Sequence, residues 1–97
     1  MYGTIARMRV KPGKLQQLQD LNSREDMMNI PGLVSTTVYL MDADSNELIM
    51  CVAFTDKEAY FKNASSPAQN ARYEEFIALL EGPPEWNDGE IIYSSEH

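Results

Sequence analysis

The chain is poor in the residues that many catalytic, export and membrane signatures need, with one cysteine, one histidine and eight basic residues among 97. A single cysteine excludes an internal disulfide framework, and no basic start followed by an apolar segment indicates export. No apolar run approaches the roughly 18 residues of a membrane-spanning helix. These absences predict a soluble protein of the reducing cytoplasm.

Positive charge is scarce, because fifteen acidic residues against eight basic ones give a net charge of -7. A phosphate backbone and an anionic membrane surface both repel such a protein. The sequence therefore predicts neither nucleic acid nor a membrane as a partner.

The shortage of histidine also bears on metals and cofactors. His97 is the last residue, a native terminus or the stub of a tag, so no imidazole base or nitrogen ligand for iron is expected. Asp42, Asp44 and Asn46 match the first three ligand positions of a calcium-binding EF-hand loop. The sixth position, however, is Glu47 instead of glycine, and the twelfth is Ala53 instead of glutamate. The sequence thus predicts no metal site.

The periodicity of apolar residues predicts one domain over residues 1–97. Strand-like patterns occupy residues 2–10, 33–41, 47–54 and 90–93, and helical patterns occupy 14–28, about 57–63 and about 67–81. This order is the βαββαβ pattern of a ferredoxin-like α+β fold, a four-stranded antiparallel sheet with helices on one face.

Two capping boxes mark the starts of the later helices. Thr55 with Glu58 and Ser66 with Gln69 each place a hydroxyl three residues before a Glu or Gln. Pro67 then takes the first helical position, where its missing N–H costs nothing.

The hairpin strands carry apolar side chains on both faces, for instance Val38 beside Tyr39 and Met50 beside Cys51. An antiparallel sheet with one face in solvent is normally polar on that face. A domain of this size also buries only about 60% of its unfolded surface, so it gains from a partner. We therefore predict a homodimer that pairs through the second face of the sheet.

Short motifs along most of the chain carry a resemblance to a known family. They are RVKPGK at residues 9–14, IPG at 30–32, DSNE at 44–47, DKEA at 56–59 and SP at 66–67. In their order and spacing the chain resembles the antibiotic-biosynthesis-monooxygenase-like (ABM-like) group of the dimeric α/β barrel superfamily. The resemblance implies a dimer with face-to-face sheets, and in each subunit an apolar pocket between helices and sheet. It also implies activities such as cofactor-independent oxidation of quinols and anthrones, haem degradation, or isomerisation of small carbonyl compounds.

Three positions depart from the pattern of that family. Asn63, four residues after Ala59, stands where many members have histidine. Phe54 stands near the position where haem-degrading members have tryptophan, and Ala6 about where they have asparagine. The resemblance therefore does not imply haem breakdown here, and no cofactor is expected.

The residues expected in the pocket are aromatic, amide and sulfur-containing. Asn63 and Arg72 are the catalytic candidates for stabilising a substrate anion, and Tyr73 for orienting the ring. The candidates for binding the substrate are Met8, Tyr39, Met50, Phe54 and Tyr60. Trp86, expected on a loop, would anchor the dimer or close the end of the pocket.

Each catalytic candidate also has a structural interpretation. Asn63 near a helix end suits a C-terminal cap. Arg72 suits a surface ion pair with Glu75 at i+3. Tyr73 begins the apolar stripe of its helix and suits the core.

The function predicted from these residues and the resemblance is cofactor-independent monooxygenation of a small aromatic or quinol-type compound. Two alternatives stay open. The pocket could bind a small molecule without catalysis, which the asparagine in place of histidine favours, or the protein could isomerise a small carbonyl compound.

Overall fold

A computed structural model describes residues 1–95 of the chain. Its elements, in order, are β1 (Tyr2–Arg9), α1 (Leu15–Asn22), α2 (Glu25–Met28), β2 (Leu33–Leu40), β3 (Glu47–Phe54), α3 (Lys57–Ala64), α4 (Pro67–Ile77) and β4 (Glu85–Glu90). The strands form an antiparallel four-stranded sheet in the order β2-β3-β1-β4. The ferredoxin-like α+β prediction is confirmed, and His97 lies outside the described residues.

The two faces of β1 differ in exposure, as its alternating sequence predicts. Ala6 and Met8 are 0% and 4% exposed, whereas Ile5, next to Ala6 in the same strand, is 55% exposed. Because successive strand residues point to opposite faces, the even positions of β1 pack under the helices and the odd positions face away.

The core lies between the helix-facing side of the sheet and the helices. Its buried members are Ala6, Met8, Val10, Leu18, Leu21, Leu48, Met50, Phe76 and Leu80. Among residues 1–95, no helix combines the length and the apolar character that crossing a bilayer requires.

Side-chain caps start both helices that follow the hairpin. The Asp56 carboxylate accepts a hydrogen bond from the Ala59 N–H at 2.7 Å, so α3 is capped by Asp56 and the prediction of Thr55 was wrong. An aspartate and a threonine are both good caps, and the helix here begins one residue later than predicted. The Ser66 Oγ accepts from the Gln69 N–H at 3.1 Å, with proline first in α4, which confirms the Ser66 cap. The reciprocal half of the capping box is not formed, because the Ser66 N–H donates to the Asn63 carbonyl and the Gln69 side chain turns to Asn63 and Arg72.

Two helices are shorter than their apolar patterns predict. The helix predicted over residues 14–28 breaks into α1 and α2 at Ser23, whose hydroxyl donates to a carbonyl of the preceding turn, and at Arg24, which is extended. Serine competes with the helix for backbone hydrogen bonds in this way. The helix predicted to end near residue 81 ends at Ile77, because Leu80 forms a β-bridge with Val10.

The last strand is β4 at Glu85–Glu90, whereas the sequence pattern predicts a strand at 90–93. Trp86 therefore lies in a strand and not on a loop. β4 is an edge strand that pairs only with β1, and its sequence EWNDGE shows no apolar alternation. Pairing with the backbone of β1 stabilises this segment, so local composition alone could not reveal it.

Candidate functional site

The helices leave part of the sheet uncovered, and a cleft of about 680 Å³ opens there between helices and sheet. Its apolar wall includes Val38, Met50, Val52, Phe54, Tyr73 and Trp86. A cleft of this size, within the range of about 300–1,000 Å³, suits a small organic molecule. Its wall is mainly aromatic and aliphatic, so it favours an apolar ring system.

Polar side chains from α3 and α4 enter the cleft wall at one place, and we call Asn63, Gln69 and Arg72 the amide cluster. The Asn63 Nδ2 donates to the Gln69 Oε1 at 3.2 Å, and the Arg72 Nε donates to the same oxygen at 3.2 Å. The Arg72 Nη2 donates to the Asn63 Oδ1 at 3.1 Å. These bonds close a ring of three side chains that fixes the orientation of the Asn63 amide.

Asn63 and Arg72 do not take the structural roles that their positions in the sequence suggest. α3 is capped at its C-terminus by Ser65, so Asn63 is not the cap. Glu75 pairs with Arg24, whose Nη2 lies 2.7 Å from the Glu75 Oε2. The guanidinium of Arg24 thus replaces Arg72 as the partner of Glu75, and Arg72 turns to Asn63 instead.

A second polar group lies where β1, α3 and β4 meet, and we call Thr4, Tyr60 and Asp88 the hydroxyl cluster. All three side chains line the cleft. The Tyr60 Oη donates to the Asp88 Oδ1 at 2.7 Å. Thr4 and Asp88 are partners in the β1/β4 register, so their side chains stand side by side on the helix-facing side. The Thr4 side chain is buried, and its Oγ1 has no hydrogen-bond partner among residues 1–95.

The surroundings of Tyr60 hold its hydroxyl in the protonated form. Burial, and after it the hydrogen bond to Asp88, raises the pKa of Tyr60 to about 12. The neighbouring Thr4 hydroxyl opposes this rise in pKa, although its geometry falls short of a hydrogen bond. At neutral pH the Tyr60 O–H is therefore a donor and Asp88 its acceptor.

Aromatic rings fix the position of Tyr60. Its ring meets Phe54 edge to face at 5.5 Å between centroids and Tyr2 at 5.2 Å. The Phe61 ring packs edge to face on Tyr60 at 5.1 Å between centroids, lines the same cleft and is 44% exposed. Rings packed in this way restrict the side chain to one rotamer, so the Tyr60 hydroxyl is held at the cleft.

Five of the predicted site residues line the cleft: Met50, Phe54, Tyr60, Asn63 and Tyr73. The structure thus brings the aromatic and amide candidates together at one place. The ring of Tyr73 lies 6.3 Å from that of Trp86, and both contribute to the same wall.

Three predicted site residues do not line the cleft and are corrected here. Tyr39 is 57% exposed and pairs in register with Ile49 on the opposite face of the sheet. Met8 is 4% exposed and belongs to the core. Arg72 hydrogen-bonds to Asn63 and Gln69 and does not line the cleft. The face of Tyr39 follows from the β2/β3 register, in which its neighbour Val38 pairs with the buried Met50.

Three residues line the cleft that the sequence patterns do not predict there: Thr4, Gln69 and Asp88. Asp88 lies two residues after Trp86 in β4, so both side chains lie on the same face of the sheet. A sequence pattern that predicted a strand over residues 85–90 would have placed both of them there. The sequence pattern predicts Gln69 as part of a capping box, but its side-chain oxygen accepts hydrogen bonds from Asn63 and Arg72 instead. Thr4 lies two residues before Ala6 in β1 and on the same face of the sheet. It differs from a core residue in carrying a hydroxyl that has no hydrogen-bond partner among residues 1–95.

The described residues contain no group of three or more His, Cys, Asp or Glu side chains placed to hold a metal ion. In the hairpin turn, the hydrogen bond from Arg9, together with the Asn46 N–H at 3.0 Å, lowers the pKa of Asp44. The Asp44 carboxylate thus has protein partners that compete with any cation.

Solved structures share this fold. SnoaB, a cofactor-independent oxygenase from Streptomyces nogalater, superposes with a TM-score of 0.79 at 17% identity over 96% of this chain and 94% of its own. A conserved protein from Methanosarcina mazei gives 0.77 at 20% identity, over 91% and 89%. Rv0793 from Mycobacterium tuberculosis gives 0.75 at 18% identity, over 98% of each chain. A comparison with curated proteins gives no match.

A sequence model of one family matches most of the chain. It is the model described as antibiotic biosynthesis monooxygenase, and it matches residues 1–78, from β1 to the end of α4. The chain therefore belongs to the antibiotic biosynthesis monooxygenase family.

Proposed function

We propose that this member of the antibiotic biosynthesis monooxygenase family is a cofactor-independent monooxygenase that oxidises a small aromatic, quinol-type compound in the cleft. Family membership supports monooxygenation, and SnoaB, a cofactor-independent oxygenase, has the same fold. The observation that carries the substrate class is the cleft itself, an apolar aromatic space with polar groups at two places on its wall.

The proposed reaction needs no electron donor besides the substrate. An anthrone-type CH₂ group loses two hydrogens to dioxygen, one oxygen atom becomes the new carbonyl and the other leaves as water. The enol or phenol form must first lose its O–H proton, because the anion is the form that gives an electron to dioxygen. The protein has to bind this anion away from water and stabilise it with fixed donors.

The roles of the catalytic candidates follow from their contacts. One N–H of the Asn63 amide donates to Gln69, which leaves the second N–H of the same amide for the substrate anion. Arg72 acts as a positioning residue, since it bonds to Asn63 and Gln69 and does not line the cleft. Tyr73 lines the cleft and offers a ring and a hydroxyl for orienting the substrate.

The same proposal includes a homodimer formed through the second face of the sheet. Ile5 and Tyr39 are 55% and 57% exposed on that face, beside the half-buried Ile49, Cys51 and Ala53. A second copy of this sheet would remove these side chains from water. Changing Ile5 to Glu should shift the protein to monomers in sedimentation at micromolar concentration, and an unchanged dimer would argue against this surface.

The function is tested by measuring oxygen uptake with a panel of hydroquinones and anthrones, with protein purified in the presence of a chelator. We expect uptake that falls at least about 100-fold in Asn63→Ala, in line with the loss of one oxyanion donor. Tyr73→Phe should lower it less, and Tyr93→Phe, a tyrosine 80% exposed outside the cleft, should not change it. No uptake with any compound would overturn the proposal, and native mass spectrometry for a retained ligand would then test the binding protein.

A further inference from the structure

We propose that Gln69 is a second catalytic residue of the cleft, and that its side-chain N–H groups bind the anionic oxygen of the substrate together with the second N–H of the Asn63 amide. This inference rests on the proposed function and deepens it, since that function assigns only Asn63 as a donor to the anion. The amide cluster is thus a two-amide oxyanion hole, and the group that it recognises is a phenolate or enolate oxygen.

Arg72 fixes the direction in which both amides point. A guanidinium only donates hydrogen bonds, so each amide turns its oxygen towards it. The Arg72 Nε donates to the Gln69 Oε1 at 3.2 Å, and the Arg72 Nη2 donates to the Asn63 Oδ1 at 3.1 Å. Both amide oxygens are thereby occupied, and the NH₂ groups are the ends that remain for a ligand.

The NH₂ group of Gln69 has no acceptor in the described part of the chain. The side chain takes part in two hydrogen bonds, both through Oε1, which leaves the two N–H groups of Nε2 unpaired among residues 1–95. Nε2 is also accessible, because in that range Thr4 Oγ1 alone is a buried side-chain polar atom without a partner. Gln69 is half-buried and lines the cleft, as Asn63 does, so its N–H groups are available to a bound molecule.

The charges around the cleft favour an anion at this place. Arg72 adds a positive charge behind the two amides, and no carboxylate of residues 1–95 forms an ion pair with it. Asp88 is the one charged residue of the cleft wall in the same range, and it belongs to the hydroxyl cluster. An anionic oxygen is repelled by Asp88 and attracted to the amide cluster, so the ligand binds with that oxygen towards α3 and α4.

A set of donors without an acceptor selects an oxygen that only accepts hydrogen bonds. Hydrogen bonds to an ionised oxygen are roughly twice as strong as those between neutral groups, so the cluster favours a phenolate over the matching phenol. The anion is the species that the proposed oxidation requires. Donors that bind it more tightly than its neutral form accelerate the reaction, which is the role that we assign to Gln69.

The test measures how much more tightly the full chain binds a phenolate than the matching phenol. The probe is 4-chloro-1-naphthol, whose hydroxyl oxygen is its one strong hydrogen-bond acceptor, and dioxygen is removed so that no oxidation occurs. The phenolate absorbs at longer wavelength than the phenol, so absorbance against pH, with and without saturating protein, gives the ratio of the two affinities. We expect a ratio of at least about 10 for the natural chain.

Gln69→Glu separates the role of a donor from a structural role. A glutamate keeps an acceptor oxygen for Asn63 and Arg72 but has no N–H, so the ratio should fall at least about 10-fold. The variant should be at least as stable to urea as the natural chain, because the carboxylate gains a charged partner in Arg72 and suits the third position of α4. A fall in the ratio then does not come from loss of the fold.

Gln19→Glu is the matched control, since it makes the same change of charge at an exposed position of α1 outside the cleft. Its ratio should equal that of the natural chain. The inference would be overturned if Gln69→Glu left the ratio unchanged, or if Gln19→Glu lowered it equally. Phenolate binding no tighter than phenol binding, or no binding of the probe at all, would overturn it as well.

These outcomes are distinct from failure of the proposed function. A ratio that depends on Gln69 without oxygen uptake by any substrate would sink the monooxygenase and keep the oxyanion hole. Oxygen uptake with a ratio independent of Gln69 would do the reverse.

Discussion

The amide cluster and the hydroxyl cluster line the same cleft but differ in how their polar groups are satisfied. In the amide cluster, three hydrogen bonds of 3.1–3.2 Å join Asn63, Gln69 and Arg72 into a closed ring. In the hydroxyl cluster, Tyr60 and Asp88 bond to each other, while the buried Thr4 Oγ1 has no hydrogen-bond partner within the described part of the chain. A closed network holds a donor in place, whereas a buried hydroxyl without a partner lowers the stability of the fold. We infer that the closed ring of the amide cluster keeps the Asn63 donor in the position that the proposed function requires.

The largest expected effect comes from removing the buried Phe54 ring, which packs on Tyr60 of the hydroxyl cluster. Phe54 is 3% exposed and packs edge to face on Tyr60, so Phe54→Ala should lower the free energy of unfolding by about 3–5 kcal/mol. Urea denaturation measures this. Phe61→Ala is the matched control, because its ring also contacts Tyr60 but is 44% exposed and should cost less. Equal losses of unfolding free energy in the two variants would contradict the larger contribution expected of the Phe54 ring.

The next effect concerns the closed ring of the amide cluster. Arg72→Met keeps the length of the side chain but removes both donors, which should cost about 1–3 kcal/mol of unfolding free energy. It should also free the Asn63 amide and lower the rate of oxygen uptake. Arg24→Met, which removes an exposed guanidinium that pairs with Asp26 and Glu75, is the control and should cost less. An Arg72 variant as stable as the natural chain would mean that the ring contributes nothing.

A smaller loss of stability is expected when the N-terminal cap of α3 or of α4 is removed. Asp56 caps α3, which carries Tyr60 and Asn63, and Ser66 caps α4, which carries Gln69. Replacement of either cap by alanine should cost about 1 kcal/mol in thermal or urea unfolding. A variant as stable as the natural chain would show that its cap contributes nothing to its helix.

The smallest effect appears only at alkaline pH. The folded protein raises the pKa of Tyr60 to about 12, first by burial and then through Asp88, with Tyr2 acting in the same direction. An unfolded tyrosine titrates near about 10, so the fold favours the protonated form. This contribution to stability is complete below about pH 10 and is lost as the pH rises towards about 12.

Urea unfolding across that range of pH measures this loss. Tyr60→Phe should show a shallower decline in stability than the natural chain, whereas Tyr93→Phe, an exposed tyrosine, should follow the natural chain. Parallel curves for all of these proteins would contradict the raised pKa of Tyr60.

The local elements of the site follow from the sequence because short-range physics decides them. The hydroxyl of Ser66 caps α4 as predicted, and the even residues of β1 face the core as their alternation indicates. Asn63 lies one turn beyond Tyr60 on the same helix, so their shared position in the cleft follows from helical spacing. Each of these contacts spans a few residues.

Several of the errors involve partners that are distant in the chain. Leu80 leaves its helix because Val10 pairs with it, and Arg72 leaves Glu75 because Arg24 takes that carboxylate. Tyr39 lies on the opposite face because the β2/β3 register pairs it with Ile49, while Val38 pairs with the buried Met50. A local sequence pattern cannot predict these contacts, since each depends on which other segment packs nearby.

By itself the sequence determined the order of strands and helices, the family, the apolar face under the helices and the candidates Asn63, Phe54, Tyr60 and Tyr73, because periodicity and capping act within a few residues. Only the tertiary structure decided that Glu85–Glu90 is a strand and that Asp88 stands between Thr4 and Tyr60. The reason is physical. An edge strand of polar residues is stabilised by the backbone of the strand beside it, and a contact across 28 residues exists only once that register has formed.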